Sequence, residues 1–169
     1  MGAAIAGRGL ELVYGAGSTG LMGALANGAL QAGGSVIGVV PGIFATPQLA
    51  HAGLTRLEIV DSMHLRKARL AELAEGFIAL PGGFGTLEEL FEILTWAQIG
   101  LHRKPVGLLN TRRYFDPLLA LVEHARAEGF IYAEHRALFT HAAQPEALLE
   151  ALGEHTPPEG LERWVRRDE

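Results

Sequence analysis

The sequence predicts an α/β fold: a single Rossmann-like, doubly wound parallel sheet with helices on both faces. Three observations predict it. Short apolar runs such as Phe77-Ile78-Ala79-Leu80 alternate with segments of helical periodicity. Two of these runs, ending at Tyr14 and Leu80, lead directly into glycine-rich loops. Each loop then opens a helix, which puts both at the carboxyl edge of the sheet, where such folds bind ligands.

The elements follow in order. Residues 1–8 are small and alanine-rich and read as the last turns of a helix. Residues 10–14 are apolar apart from Glu11 and form a strand. After Gly15-Ala16-Gly17-Ser18-Thr19-Gly20, residues 21–32 form a helix. Residues 35–40 are a second strand closed by Pro41, and 42–53 are irregular, with Pro47 inside and a glycine at each end. Residues 54–60 alternate like a strand, and 61–75 form a helix. The strand 77–80 then enters the loop Pro81-Gly82-Gly83-Phe84-Gly85. Thr86 caps the next helix, whose Leu87, Leu90, Phe91 and Leu94 recur at helical spacing and which ends near Gly100. A strand at 105–109, a helix at 114–128 ended by Gly129, a short helix at 133–138, a short strand at 139–141 and a helix at 145–152 complete the pattern. The expected organisation is one nucleotide-binding domain over residues 1–155 and an extended arm over 156–169.

Composition bounds the function. With 169 residues, 49% hydrophobic and 20% charged, the chain suits one domain with a sizeable core. A net charge of -5 argues against sequence-independent nucleic-acid binding. No apolar run is long enough to span a membrane, and the start lacks a signal-peptide plan. The chain has no cysteine, hence no disulfide, thiolate metal site or thiol nucleophile, which fits a cytoplasmic location. Its seven histidines are scattered without metal-ligand spacing, so neither metal nor cofactor is expected.

The chemistry concentrates at three places. The second glycine loop and the helix after it make an anion site: backbone N–H groups approach the ligand, and the helix end adds partial positive charge. Phosphate is the expected guest. Thr86-Leu87-Glu88-Glu89 has two readings. It fits a capping box, with Glu89 bonding back to the cap. It also fits a catalytic carboxylate folded over the loop. The first loop, Gly15-x-Gly17-x-x-Gly20, formally matches a dinucleotide fingerprint. The following strand, however, ends Val39-Val40-Pro41-Gly42, without the acid that holds an NAD ribose. It is therefore read as a phosphate or nucleotide cradle. In the helix 61–75, Met63, Leu70, Leu73 and Ala74 form an apolar stripe, Arg66 projects inside it and Lys67 lies at its edge. Arg66 either snorkels out or pairs with a structural carboxylate, or it is a fork for phosphate or a purine edge. His64 points away from the stripe and reads as a surface group.

These residues resemble one family. Pro81-Gly82-Gly83-Phe84-Gly85-Thr86-Leu87-Glu88-Glu89 is similar to the P-G-G-x-G-T-x-x-E signature of the Lonely Guy phosphoribohydrolases, often mislabelled lysine decarboxylases. Met63-His64-Leu65-Arg66-Lys67 resembles their M-H-x-R-K. Thr95-Trp96-Ala97-Gln98-Ile99-Gly100, Pro105-Val106-Gly107-Leu108-Leu109-Asn110 and residues 15–23 match in order and spacing. The resemblance implies hydrolysis of the N-glycosidic bond of a nucleoside 5′-monophosphate, AMP or a cytokinin nucleotide, to free base and ribose 5-phosphate. It implies that Arg66 and Glu89 are catalytic. It places Gly15, Gly17, Ser18, Gly20, Met63, Lys67, Pro81, Gly82, Gly83, Gly85, Thr86, Glu88 and Thr95 around the substrate. It also implies a homodimer paired through helices near 87–101, where Trp96 and Ile99 lie beyond the main apolar stripe. A lysine decarboxylase ordinarily needs pyridoxal phosphate on a lysine, and only Lys67 and Lys104 exist.

The chain departs from the family pattern twice. Gln48 stands where a glutamate is usual, which bears on substrate preference. The family's opening strand and its Gly-Ser-Ser-like turn have no counterpart before Met1-Gly2-Ala3-Ala4. The expectation is a sequence incomplete at its N-terminus, with the alternative that the sheet closes over the gap or another segment fills it. The rival functions are a non-hydrolytic nucleotide or molybdenum-cofactor carrier and a nucleotide sensor.

Overall fold

The computed structural model describes residues 1–161. The chain divides into two compact units, Met1–Ala74 and Glu75–Glu169. Each is built on its own three-stranded parallel sheet with helices in the connections. The α/β class and the parallel pairing are as the sequence predicts; the single sheet is not. No described strand joins the strand at 12–14 to the strand at 77–79, so each of these has one ladder partner and ends its own sheet.

The first unit contains α1 (Gly2–Gly7), β1 (Leu12–Tyr14), α2 (Gly20–Gln31), β2 (Val36–Pro41), β3 (Arg56–Val60) and α3 (Met63–Leu73). The order is β1-β2-β3, with Tyr14 beside Gly38 and Val60 beside Pro41. β2 is central and buried along its whole length, which its unbroken apolar run requires of a two-sided strand. Val36 and Val39 of β2 and Ala26 of α2 are wholly inaccessible. Because the strands are parallel, their carboxyl ends share one edge. That edge gathers the 15–20 loop, the 42–51 segment and the start of α3. Ser62 caps α3 by accepting the Leu65 N–H at 3.2 Å.

The second unit contains β4 (Phe77–Ala79), α4 (Phe84–Gln98), β5 (Val106–Leu109), α5 (Asp116–Ala127), β6 (Phe139–Ala142) and α6 (Pro145–Gly153), in sheet order β4-β5-β6. Leu90, Val106, Leu108, Phe115, Val122 and Phe139 form its core. Leu161, within the expected arm at 156–169, is buried against Ala97 and Leu138; residues 162–169 of that arm lie outside the described residues.

His102 closes the turn between α4 and β5. Its Nε2 donates to the Ile93 carbonyl at 3.0 Å, and its Nδ1 accepts the Lys104 N–H at 3.1 Å. Its ring lies 5.3 Å from that of Phe77. Only the neutral ring can make both hydrogen bonds. Burial, and the Lys104 charge after it, push its pKa below the ordinary imidazole value against the opposing pull of the Ile93 carbonyl. The unfolded chain therefore binds the proton more readily than the folded one. This contribution to stability is complete above about pH 6.5 and is lost as pH falls through the depressed folded value. Thermal melting at pH 7.5 and pH 5 should differ less in His102→Asn than in the native chain. His155, lowered by burial, is common to both. An unchanged difference would contradict this role.

Candidate active site

In the first unit, the 15–20 loop is closely packed by protein. A Cβ at Gly17 would fall 2.8 Å from the Met22 sulfur, and one at Gly15 would fall 3.1 Å from Met22 Cε and inside the guanidinium of Arg66. Ala16 adopts a left-handed conformation (φ 64) while almost fully buried, which costs an alanine about 1–2 kcal/mol. A strap formed by residues 48–51 holds it there. The His51 N–H donates to the Ala16 carbonyl at 2.9 Å, and the Ser18 N–H donates to the Leu49 carbonyl at 3.0 Å. The Ser18 hydroxyl donates to the Gln48 carbonyl at 3.2 Å, and His51 Nε2 meets Asn27 Oδ1 at 3.0 Å. The Tyr14 hydroxyl donates to the Gly17 carbonyl at 3.2 Å; burial pushes its phenol up to about 12, so it stays a donor.

Arg66, one turn into α3, is half-buried and reaches this loop. Its Nε donates to the Val39 carbonyl at 3.3 Å, in the second half of β2. Its guanidinium lies against the Cα of Gly15. The structure thus brings together Arg66, Gly15 and, through Met22, Gly17. Met63 and His64 are exposed, Lys67 is half-buried, and Gly20 is exposed with φ +59. Gln48 is exposed and uses its backbone carbonyl in the strap.

The second unit's loop differs. α4 begins at Phe84, with Gly83 as its N-cap in extended conformation and without a side-chain bond. This corrects the expected start at Thr86. Glycine is itself an accepted N-cap, so the helix begins three residues before the threonine could cap it. Thr86 is therefore the third residue of α4 and Glu89 the sixth, so Thr86-x-x-Glu89 is not a capping box. Thr86 instead packs back on the loop, where a Cβ at Gly82 would fall 2.8 Å from its own Cβ. Gly83 and Gly85 meet no protein atom within 4 Å of where a Cβ would stand and face open space. Glu89 is half-buried one turn further on; Glu88 is exposed. The Thr95 hydroxyl donates to the Phe91 carbonyl at 2.7 Å, within its own helix.

Tyr114 is a functional candidate that the sequence reading missed. Its hydroxyl donates to the Gly82 carbonyl at 2.5 Å. A tight turn after β5 presents it: Arg112 and Arg113 are both left-handed (φ 53 and 60). Buried Asn110 accepts the Phe115 N–H at 2.7 Å and donates to Asp116 at 2.9 Å. The Asn110 amide, and after it the Arg113 guanidinium, hold the Asp116 carboxyl below its ordinary range. The available signal was a tyrosine at each carboxyl edge, Tyr14 and Tyr114, in chain that otherwise reads as strand end or turn.

Among the described residues no group of three potential metal ligands occurs, and no helix is long and apolar enough to cross a membrane. Comparison with known proteins decides the family. A family model described as "possible lysine decarboxylase" matches residues 22–152. The cytokinin riboside 5′-monophosphate phosphoribohydrolase of Rhodococcoides fascians is 59% identical over 132 residues, 78% of this chain and 67% of that one. The chain belongs to the Lonely Guy family. Two further relatives bear similar names. A probable cytokinin riboside 5′-monophosphate phosphoribohydrolase of Oryza sativa subsp. japonica is 47% identical over 92% of this chain and 70% of its own. An Arabidopsis thaliana enzyme is 41% identical over 93% and 74%. Among solved structures, the molybdenum cofactor binding protein of Rippkaea orientalis superposes with a TM-score of 0.67 at 21% identity, covering 90% of this chain and 82% of that one. This likeness shows the fold that the Lonely Guy chain shares with it.

Proposed function

We propose that this chain hydrolyses the N-glycosidic bond of a purine nucleoside 5′-monophosphate, AMP or a cytokinin riboside 5′-monophosphate, in the cytoplasm. The observation that carries the reading is the start of α4. Two glycines open to solvent precede or enter its first turn, and a half-buried carboxylate, Glu89, stands one turn on and outside any cap. The first N–H groups of a helix have no internal acceptors and suit the 5′-phosphate. Cleavage breaks the bond from ribose C1′ to the base nitrogen, water adds to C1′, and the base leaves with a proton. Positive charge builds on the ribose in the transition state, as in glycoside hydrolysis. A carboxylate stabilises that charge or takes the water's proton. Arg66 orients the nucleotide or favours departure of the base. The names of relatives at 41–59% identity support this reading.

The test is to incubate the protein with AMP and with adenosine and follow adenine and ribose 5-phosphate. Adenine should appear from AMP and not from adenosine. Equal turnover would show that phosphate binding does not position the substrate. Tight AMP binding without adenine release would favour the carrier reading. The protein acts as a homodimer paired through α4, which carries the exposed Phe84 and Phe91 as well as half-buried Trp96 and Ile99. Sedimentation at micromolar concentration should give a dimer; a monomer would refute the pairing.

A further inference from the structure

We infer that Gly15 is a positioning residue: its bare Cα is the surface on which the Arg66 guanidinium rests, and any side chain there evicts it. Three reasons are available for a glycine in such a loop, and two fail at this position. The first is backbone freedom. The left-handed residues of this loop are Ala16 and Gly20, not Gly15, so an alanine at 15 fits the backbone. The second is close approach of a ligand. The volume that a Cβ would occupy is already filled by the Arg66 guanidinium, with Cζ at 2.9 Å, and bounded by Met22 Cε at 3.1 Å. No ligand can enter it while Arg66 is in place. The third reason is the arginine itself.

The arginine is held from two sides. Its Nε donates to the Val39 carbonyl, and its terminal Nη2 abuts Gly15, inside the space where a Cβ would stand. An arginine has several rotatable bonds and loses much freedom when fixed. A fork directed at one spot therefore needs such a surface to remain pre-organised. A methyl group at 15 leaves the charge in the protein but moves its two terminal nitrogens away from where β2 and α3 aim them.

The test is Gly15→Ala, alone and combined with Arg66→Ala. With AMP, Gly15→Ala should lower kcat about as far as Arg66→Ala does, roughly a hundredfold. The double variant should be no worse than Arg66→Ala alone. Full activity in Gly15→Ala overturns the inference, and so does a double variant whose losses multiply, because neighbours acting through one group are not additive. This readout rests on the phosphoribohydrolase reading. A second one does not: the Arg66 Nε–H resonance, assigned by its loss in Arg66→Ala. It should be protected from exchange in the native chain and shift to a solvent-exposed position in Gly15→Ala. An unchanged resonance overturns the inference whether or not AMP is a substrate. Should Gly15→Ala fail to fold, Gly15→Ala with Arg66→Gly removes the clash and should restore the fold; failure to restore it also overturns the inference.

Discussion

Glu89→Gln should lower turnover of AMP about a hundredfold or more, the scale of one electrostatic catalytic group, while the protein melts at nearly the native temperature. The exchange keeps shape and removes charge. Its structural cost is small because of where α4 begins. With Gly83 at the cap, Glu89 is the sixth helical residue, three positions past the place of a capping-box glutamate. A capping-box glutamate would behave otherwise, with stability and activity falling together. Measuring kcat beside a thermal melt separates the two. A fully active Glu89→Gln would remove the carboxylate from the mechanism.

Arg66→Ala should cost a similar factor, and Arg66→Lys should not recover it. The Nε donates to Val39 O while the terminal Nη2 abuts Gly15, so two edges of one planar group are in use. A lysine ammonium carries the charge but has neither the fork nor a nitrogen at the Nε position. Steady-state kinetics of both variants on AMP check this. A lysine variant near native activity would mean that charge alone suffices and that the fork is incidental.

Most of the fold was legible because its signals are local. Apolar runs, glycine loops and helical spacing place the six strands and six α-helices of the described residues within a few residues. The separation into two sheets was less legible, since strand pairing is a long-range property that periodicity does not encode. The start of α4 was misread because Thr86-x-x-Glu89 imitates a capping box, while Gly83 caps the helix without any side-chain signal. Arg66 stood out as a charge inside an apolar stripe, and the structure finds it half-buried on a main-chain carbonyl. The strap at 48–51 and the contact from Tyr114 were invisible. Each joins residues about thirty positions apart through backbone carbonyls, which any residue type supplies.

The Tyr114 contact has a consequence for the peptide it grips. A trans peptide sends its carbonyl and the next N–H in opposite directions. By fixing the Gly82 carbonyl, the phenol works as a latch on that plane and sets which way the Gly83 N–H points. The first unit shows the same relation completed: Tyr14 holds the Gly17 carbonyl, and the Ser18 N–H that follows is directed to Leu49. A run of glycines could otherwise flip its planes freely. The latched loop has lost that freedom during folding, so a ligand arriving at Gly83 meets one orientation rather than an average of two and loses less entropy on binding.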